Sequence, residues 1–342
     1  DPQGRVQVHL CNPQGYGEEF MEKKIAVLGG GTGISTILRG LKDFTTNISA
    51  VVSMSDDGGG SGILREELNI LPPGDVRRCL IALSNTDKTM RDLLSYRFKS
   101  GSLKDQNVGN ILIAALTDIF GSFDKALLEM SSVFNVTGKV IPVTLDETHL
   151  VAEFESKDKV VGESYIPKMC YRLNTKIEKM SMIPHYPRAN EDALEAILSS
   201  DVVIIGPGSL YTSIIPNFLV GGINEALRDT KARVIYIANA MTQKGETKNY
   251  SLKDHFEAIL KHSNYEFIDE VIANDLRATD EIYKYYYNKD ESTPIFATEE
   301  DKKYFKGKNV LLTEGEFIEI KDGFIRHDGD NIGASIFRIP FL

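Results

Sequence analysis

Two glycine clusters follow two short apolar runs near the start of the chain. Leu28 to Gly33 reads LGGGTG after the run KIAVL, and Ser55 to Gly62 reads SDDGGGSG after ISAVVSM. β-Branched runs ending in glycine predict strands that hand the chain to a tight turn, and the segments beyond, Thr36 to Phe44 and ILREEL, predict helices. This β-α-β rhythm favours a parallel sheet. The expected fold is therefore α/β, with a Rossmann-like parallel sheet. Glycines there let an anion approach the free amides of a helix N-terminus, so Gly30, Gly31, Thr32 and Gly33 are candidate phosphate-binding residues. The spacing is an imperfect dinucleotide fingerprint, with Ser35 standing where a third glycine is expected, and a purely structural turn is the alternative. In the second cluster, Asp56 and Asp57 are candidate catalytic residues or Mg²⁺ ligands, and Gly59 is a candidate ligand contact. The bland alternative is that Asp56 caps and Asp57 faces solvent.

At 342 residues the chain can bury a substantial core. A net charge of -10 with scattered basic residues argues against nucleic acid as a partner. Phosphate binding by an acidic chain has to be local, through amides and a few placed arginines. No apolar run approaches the roughly 18 residues that span a bilayer, so membrane insertion is not expected. Cys11, Cys79 and Cys170 lack paired spacing, which fits a reducing compartment better than a disulfide scaffold. Residues 1–20 read as a disordered leader or added extension, without signal-peptide character, before Met21. Residues 21–342 then form one domain, in which 133–184 is a β-rich insertion or flanking subdomain of short alternating runs.

Further motifs sit at predicted strand ends or helix starts. Gly74 to Arg78 reads GDVRR, with Asp75 as expected N-cap. Arginines in a first helical turn oppose the helix dipole, so Arg77 is expected to meet an external anion. Asn107 and Asn110 bracket Gly109 at another helix start and either cap or bind. Gly206 to Ser213 reads GPGSLYTS after an apolar strand, which offers Gly206, Gly208, Ser209 and Thr212 as a second anion cradle. Asn239, Thr242 and Gln243 follow another strand and suit a base or sugar edge. The histidines show no metal-ligand spacing, and no GxSxG nucleophile elbow occurs.

The ordered set GGGTG, the Asp-Asp-Gly loop, GDVR, GN at Gly109, GPGSLYTSIIPN and N-x-MTQ-GET resembles the gluconeogenesis factor (YvcK-like) family, within the superfamily of the 2-phospho-L-lactate transferase CofD. The likeness runs from Met21 to about Ala334. It implies a CofD-type Rossmann-like fold, a homodimer in the bacterial cytoplasm, and a regulatory role in gluconeogenic growth, cell shape and wall synthesis. It also implies a nucleotide-sugar ligand, UDP-N-acetylglucosamine, with Arg326 and Tyr287 among its contacts. The transferase relatives imply an alternative: transfer of a phospho-2-hydroxyacyl group from a nucleoside diphosphate donor to a deazaflavin-type acceptor. No cofactor is expected for the regulatory reading, and Mg²⁺ belongs to the transferase reading alone. Three positions depart from the pattern: Gly60, Gln106 and Ala240. Gln106 stands where a histidine is common, which removes a titratable group and weighs against turnover. An NAD-dependent oxidoreductase is a third reading, poorly served by the incomplete fingerprint.

Overall fold

The computed structural model describes residues 23–321 and 323–338, so the predicted leader lies outside the described residues. Its strands, in chain order, are β1 (Ile25–Gly29), β2 (Ile48–Val52), β3 (Lys139–Pro142), β4 (His149–Phe154), β5 (Lys159–Val161) and β6 (Ile177–Ile183). They continue with β7 (Val202–Ile205), β8 (Arg233–Ile237), β9 (Glu270–Asn274), β10 (Leu311–Gly315), β11 (Ile318–Lys321) and β12 (Phe324–His327). Seven of these make one sheet in the order β10-β9-β8-β7-β1-β2-β3, and all its neighbours are parallel.

Every residue of β1, β7 and β9 is buried. Continuous runs of Ile, Val and Ala are what a sheet covered by helices on both faces demands. Helix Gly31–Leu41 turns Ile34, Ile37, Leu38 and Leu41 onto the core, the i, i+3, i+4, i+7 stripe of an amphipathic helix. Each such side chain contributes about 2 kcal/mol on burial.

The strand order fixes where a ligand can bind. From β1 the chain steps outward to β2 and β3, then returns to β7 on the other side of β1. The crevice between the carboxyl ends of β1 and β7 is thus the topological switch point, where open α/β sheets bind ligands. The two glycine turns of the sequence, at Gly30 and at Gly206, both open there.

The stretch 133–184 divides. β3 joins the main sheet, pairing Ser49 with Lys139 through Val52 with Pro142, because its VIP residues are buried beside β2. Only β4, β5 and β6 form a separate antiparallel sheet, ordered β5-β4-β6. Of the short run 159–166 only Lys159–Val161 is strand, as β5, and helix Ile166–Leu173 follows. A hairpin of β11 and β12, absent from the expectations above, packs with helix Asp280–Asp290 in a small apolar cluster. Its members include Ala240, Ala278, Ile318 and Ile325, joined by Tyr286.

Candidate functional site

A cleft of about 370 Å³ lies over the switch point. The β1 turn supplies Gly30, Gly31, Thr32 and Gly33, and the β7 turn supplies Pro207, Gly208 and Ser209. Two local requirements explain the glycines. Gly31 has φ +69, a left-handed conformation that side chains resist. A Cβ on Gly33 would collide with the Pro207 carbonyl, so only glycine lets the two turns touch.

The β8 loop braces the second turn. Asn239 Nδ2 donates to the Gly208 carbonyl at 2.8 Å, and its Oδ1 accepts from the Gly208 amide at 3.4 Å. Gln243 Nε2 donates to Ser209 Oγ at 2.9 Å, leaving its own Oε1 buried without a partner. Thr242 also lines the cleft, but its hydroxyl pairs with that of Thr293 at 3.2 Å. From the hairpin come Arg326 and His327. The Arg326 guanidinium lies 5.3 Å from the Phe324 ring centroid. Burial holds the His327 imidazole below its usual range, so Nε2–H donates to the Ala238 carbonyl at 3.0 Å and pins β12 to the β8 loop.

Three expected residues stand elsewhere. Tyr287 is 59% exposed and does not line the cleft; its neighbour Tyr286 does, with its hydroxyl accepting from the Ile325 amide at 2.9 Å. One residue of helix register separates the two. Thr212 turns inward, donating to Glu246 at 3.1 Å, and Gly206 is buried at the strand end. Glu246 also accepts from the Tyr211 amide at 3.1 Å, and burial pushes it up to about 7. It lies in the MTQ-GET stretch, where nothing local distinguishes a buried acid from an exposed one.

The aspartate loop forms a second centre beside the cleft, and Asp75 joins the two. Pro73 occupies the N-cap position expected for Asp75. Asp75 instead sits in the first turn, where Oδ2 accepts from the Gly31 amide at 2.6 Å and Oδ1 from Arg78 Nη2 at 2.5 Å. A carboxylate thus already occupies one amide of the first cradle. Asp56 Oδ1 accepts from the Gly58 amide at 3.0 Å, and burial, then Asp75, raises its pKa. Asp57 Oδ1 accepts from the Ser164 amide at 2.8 Å and so ties the loop to the insertion. Glu163, which the sequence reading missed, is pushed up to about 8 by burial and then by Asp56 and Asp57.

These carboxylates do not assemble a metal site by themselves. Asp56 Oδ2 lies toward Gly74 and Asp57 Oδ2 toward Gly162, on different elements. Among the described residues no three His, Cys, Asp or Glu side chains are grouped to hold a metal ion. Asn107 caps helix Val108–Phe120, accepting from the Asn110 amide at 3.2 Å, while Asn110 Nδ2 donates to Ser61 Oγ at 3.3 Å. Gly59 (φ +50) opens helix Gly59–Leu68, and Arg77 is buried nearby. These residues form the second centre and do not line the cleft.

A larger hollow of about 860 Å³ lies among Asp201, Lys231, Arg233 and Asp269, near the amino ends of β7 and β8. Its acids and bases offset one another, and neither glycine turn reaches it, so the switch point is the better candidate.

Residues 25–315 match the family described as 2-phospho-L-lactate transferase CofD. The chain belongs to the CofD family. A Clostridium acetobutylicum relative is 50% identical over 90% of this chain and 68% of its own length. The gluconeogenesis factor of Bacillus subtilis is 41% identical, covering 91% of this chain and 96% of its own. A crystal structure of a UPF0052 family member from Bacillus halodurans superposes with a TM-score of 0.88 at 40% identity, covering 93% of this chain and all of the other. This CofD family member therefore groups with proteins named gluconeogenesis factor, as its motif order implied. Among its described residues no helix is long and apolar enough to cross a membrane.

Proposed function

We propose that this protein is a cytoplasmic nucleotide-sugar-binding regulator, with UDP-N-acetylglucosamine as ligand, acting as a homodimer in gluconeogenic growth, cell shape and wall synthesis. The observation that carries the reading is the cleft at the switch point. Two glycine turns present backbone to one space, and Arg326 enters it from the hairpin. In this reading the diphosphate lies against the Thr32, Gly33 and Ser209 amides with Arg326 as counter-charge. Gln243 Oε1, buried and unpaired, accepts from the base or sugar. Asp290 also lines the cleft and suits ribose hydroxyls.

In this reading the cleft binds without turnover, and two of its hydroxyls brace its walls. Thr242 pairs with Thr293 and Ser209 accepts from Gln243. The uridine and N-acetylglucosamine identities rest on the family likeness. Isothermal titration tests the ligand class: wild type binds the uridine nucleotide sugar, and Arg326→Ala binds it about 10- to 100-fold more weakly. Equal binding by the variant sinks the assignment. The alternative, a transferase acting on a nucleoside diphosphate donor with Mg²⁺ at Asp56 and Asp57, is favoured only by the raised pKa values of Asp56 and Glu163, which suit proton transfer. Mg²⁺-dependent product formation that is lost in Asp56→Ala would establish it.

A further inference from the structure

Three side chains of the β8 loop grip the β7 turn in order: Asn239 at Gly208, Gln243 at Ser209, and Glu246 at Tyr211 and Thr212. Asn239 and Gln243 line the nucleotide cleft, whereas Glu246 stands behind it. Glu246 is buried, and among the described residues no basic side chain offsets its charge. Three donors meet it instead: the Tyr211 amide on Oε2, the Thr212 hydroxyl on Oε1, and the Thr212 amide.

A carboxylate in that place changes what Ser209 can do. Ser209 occupies the N-cap position of the helical turn Leu210–Ile214, where a serine hydroxyl ordinarily accepts from the amides two or three residues on. Here it makes no such bond, because Glu246 holds those same donors. Ser209 Oγ is left to accept from Gln243 Nε2 at 2.9 Å, which makes Gln243 Oε1 the buried, unpaired acceptor of the cleft wall. The loop transmits this grip as one unit. The Gln243 amide donates to Thr247 Oγ1 at 2.9 Å, and the Glu246 and Thr247 amides donate to the Gln243 carbonyl at 3.2 and 2.9 Å. A Cβ on Gly245 would collide with the Pro167 carbonyl, so the loop is wedged from behind by helix Ile166–Leu173.

We propose that Glu246 is a positioning residue of the nucleotide cleft: by capping the turn after β7 in place of Ser209, it frees that hydroxyl to fix the Gln243 amide as an acceptor for the ligand. The inference rests on the nucleotide-sugar reading of the cleft and adds the residue that presets its acceptor. A neutral carboxyl accepts fewer of the three donors, so Ser209 Oγ returns to the turn amides and Gln243 is released. Around Glu246 stand Tyr211, Cys170 and Glu163, each raised first by burial, with the Glu246 charge among the later causes. Behind them, Tyr250 shares a 2.8 Å hydrogen bond with the Tyr211 hydroxyl, Glu155 acts on Cys170 and Tyr250, and His262 and His255 pack on the two tyrosine rings. Burial lowers both histidines, which leaves Glu163 as the neighbour that titrates in the same range.

The test uses the full chain and UDP-N-acetylglucosamine, whose doubly esterified diphosphate does not titrate near neutrality. By isothermal titration, wild-type affinity is expected to fall about tenfold as pH drops through about 7. Glu246→Gln, neutral at every pH, is expected to be flat and level with acidified wild type. The variant keeps Glu163, so a flat profile assigns the titration to Glu246. Thr212→Val removes one donor that favours the ionised carboxylate and is expected to move the midpoint to higher pH. Hydrogen exchange without ligand, above pH 7, is the independent arm. Amides of 207–213 and 240–244 are expected to exchange faster in Glu246→Gln than in wild type, with those of β1 and β9 unchanged. Unchanged exchange in the two segments overturns the proposal, as does a wild-type slope in Glu246→Gln or, should that variant not fold, an unmoved midpoint in Thr212→Val. Affinity that rises on acidification also overturns it, by making Glu246 a repelling charge. If wild type binds no nucleotide sugar, the nucleotide reading fails and the exchange arm alone decides the role of Glu246.

Discussion

The switch-point cleft and the aspartate loop are neighbours built on opposite electrostatic plans. In the cleft, polar groups are mostly paired with one another and the turn backbone is held by Asn239. At the aspartate loop, charge is buried first and compensated afterwards: Asp56 and Glu163 are raised, and Arg77 is lowered to about 10, by burial before any other cause. The first plan gives a rigid, preorganised cradle. The second stores unfavourable electrostatics that a ligand can relieve.

The contrast can be broken most severely where the two glycine turns touch. Gly33→Ala drives a methyl group into the Pro207 carbonyl and is expected to cost roughly 2–3 kcal/mol of stability, with loss of nucleotide binding. Denaturant unfolding and titration of one preparation check both. Arg326→Ala leaves the fold intact and weakens the nucleotide sugar by about 10- to 100-fold, the worth of charge-assisted hydrogen bonds. Asn239→Ala leaves both polar groups of Gly208 unpaired and costs about 1–2 kcal/mol, read as a lower urea midpoint.

The aspartate loop answers to pH instead. Glu163 has a native pKa of about 8 against an ordinary 4.5, so the folded state binds its proton more tightly than the unfolded state does. Its contribution is therefore greatest below about pH 4.5 and falls as pH rises through about 8. Glu163→Gln is expected to flatten the stability profile across that window, measured by unfolding midpoints at successive pH values. An unchanged slope would place the titration elsewhere. The smallest effect belongs to the hairpin. Tyr287→Ala changes ligand affinity less than about twofold, whereas Tyr286→Ala removes the hydroxyl that holds the Ile325 amide and weakens binding more. Reversal of that order would return the contact to Tyr287.

The same contrast explains what the sequence discloses. β1, β2, β7 and β8 are legible because buried parallel strands are largely apolar, and glycine or asparagine closely follows β1, β7 and β8. The cradles are legible for the same reason. β3 is harder to place, since a four-residue edge strand of the main sheet and a strand of the insertion read alike; only the ladder with β2 separates them. The hairpin of β11 and β12 is short and only half apolar, and its place over the cleft comes from tertiary packing through Tyr286. Asp75 looks like an N-cap because aspartate before a helical run commonly is one, but Gly31, 44 residues away, takes its carboxylate. Glu163 carries no local signal at all: the neighbours that raise its pKa come from Asp56, Asp57 and Glu246, distant in sequence.

The central proposal is that the switch-point cleft binds the diphosphate of a nucleotide sugar through its paired glycine turns and Arg326, with the uridine preference implied by the family likeness. Isothermal titration of the full chain with UDP-N-acetylglucosamine and with GDP, each against wild type and Arg326→Ala, tests it most directly. The account predicts saturable binding of the uridine ligand, GDP weaker by about tenfold or more, and uridine binding weakened about 10- to 100-fold in the variant. Equal affinity for the two nucleotides, or a variant that binds as wild type does, would contradict it.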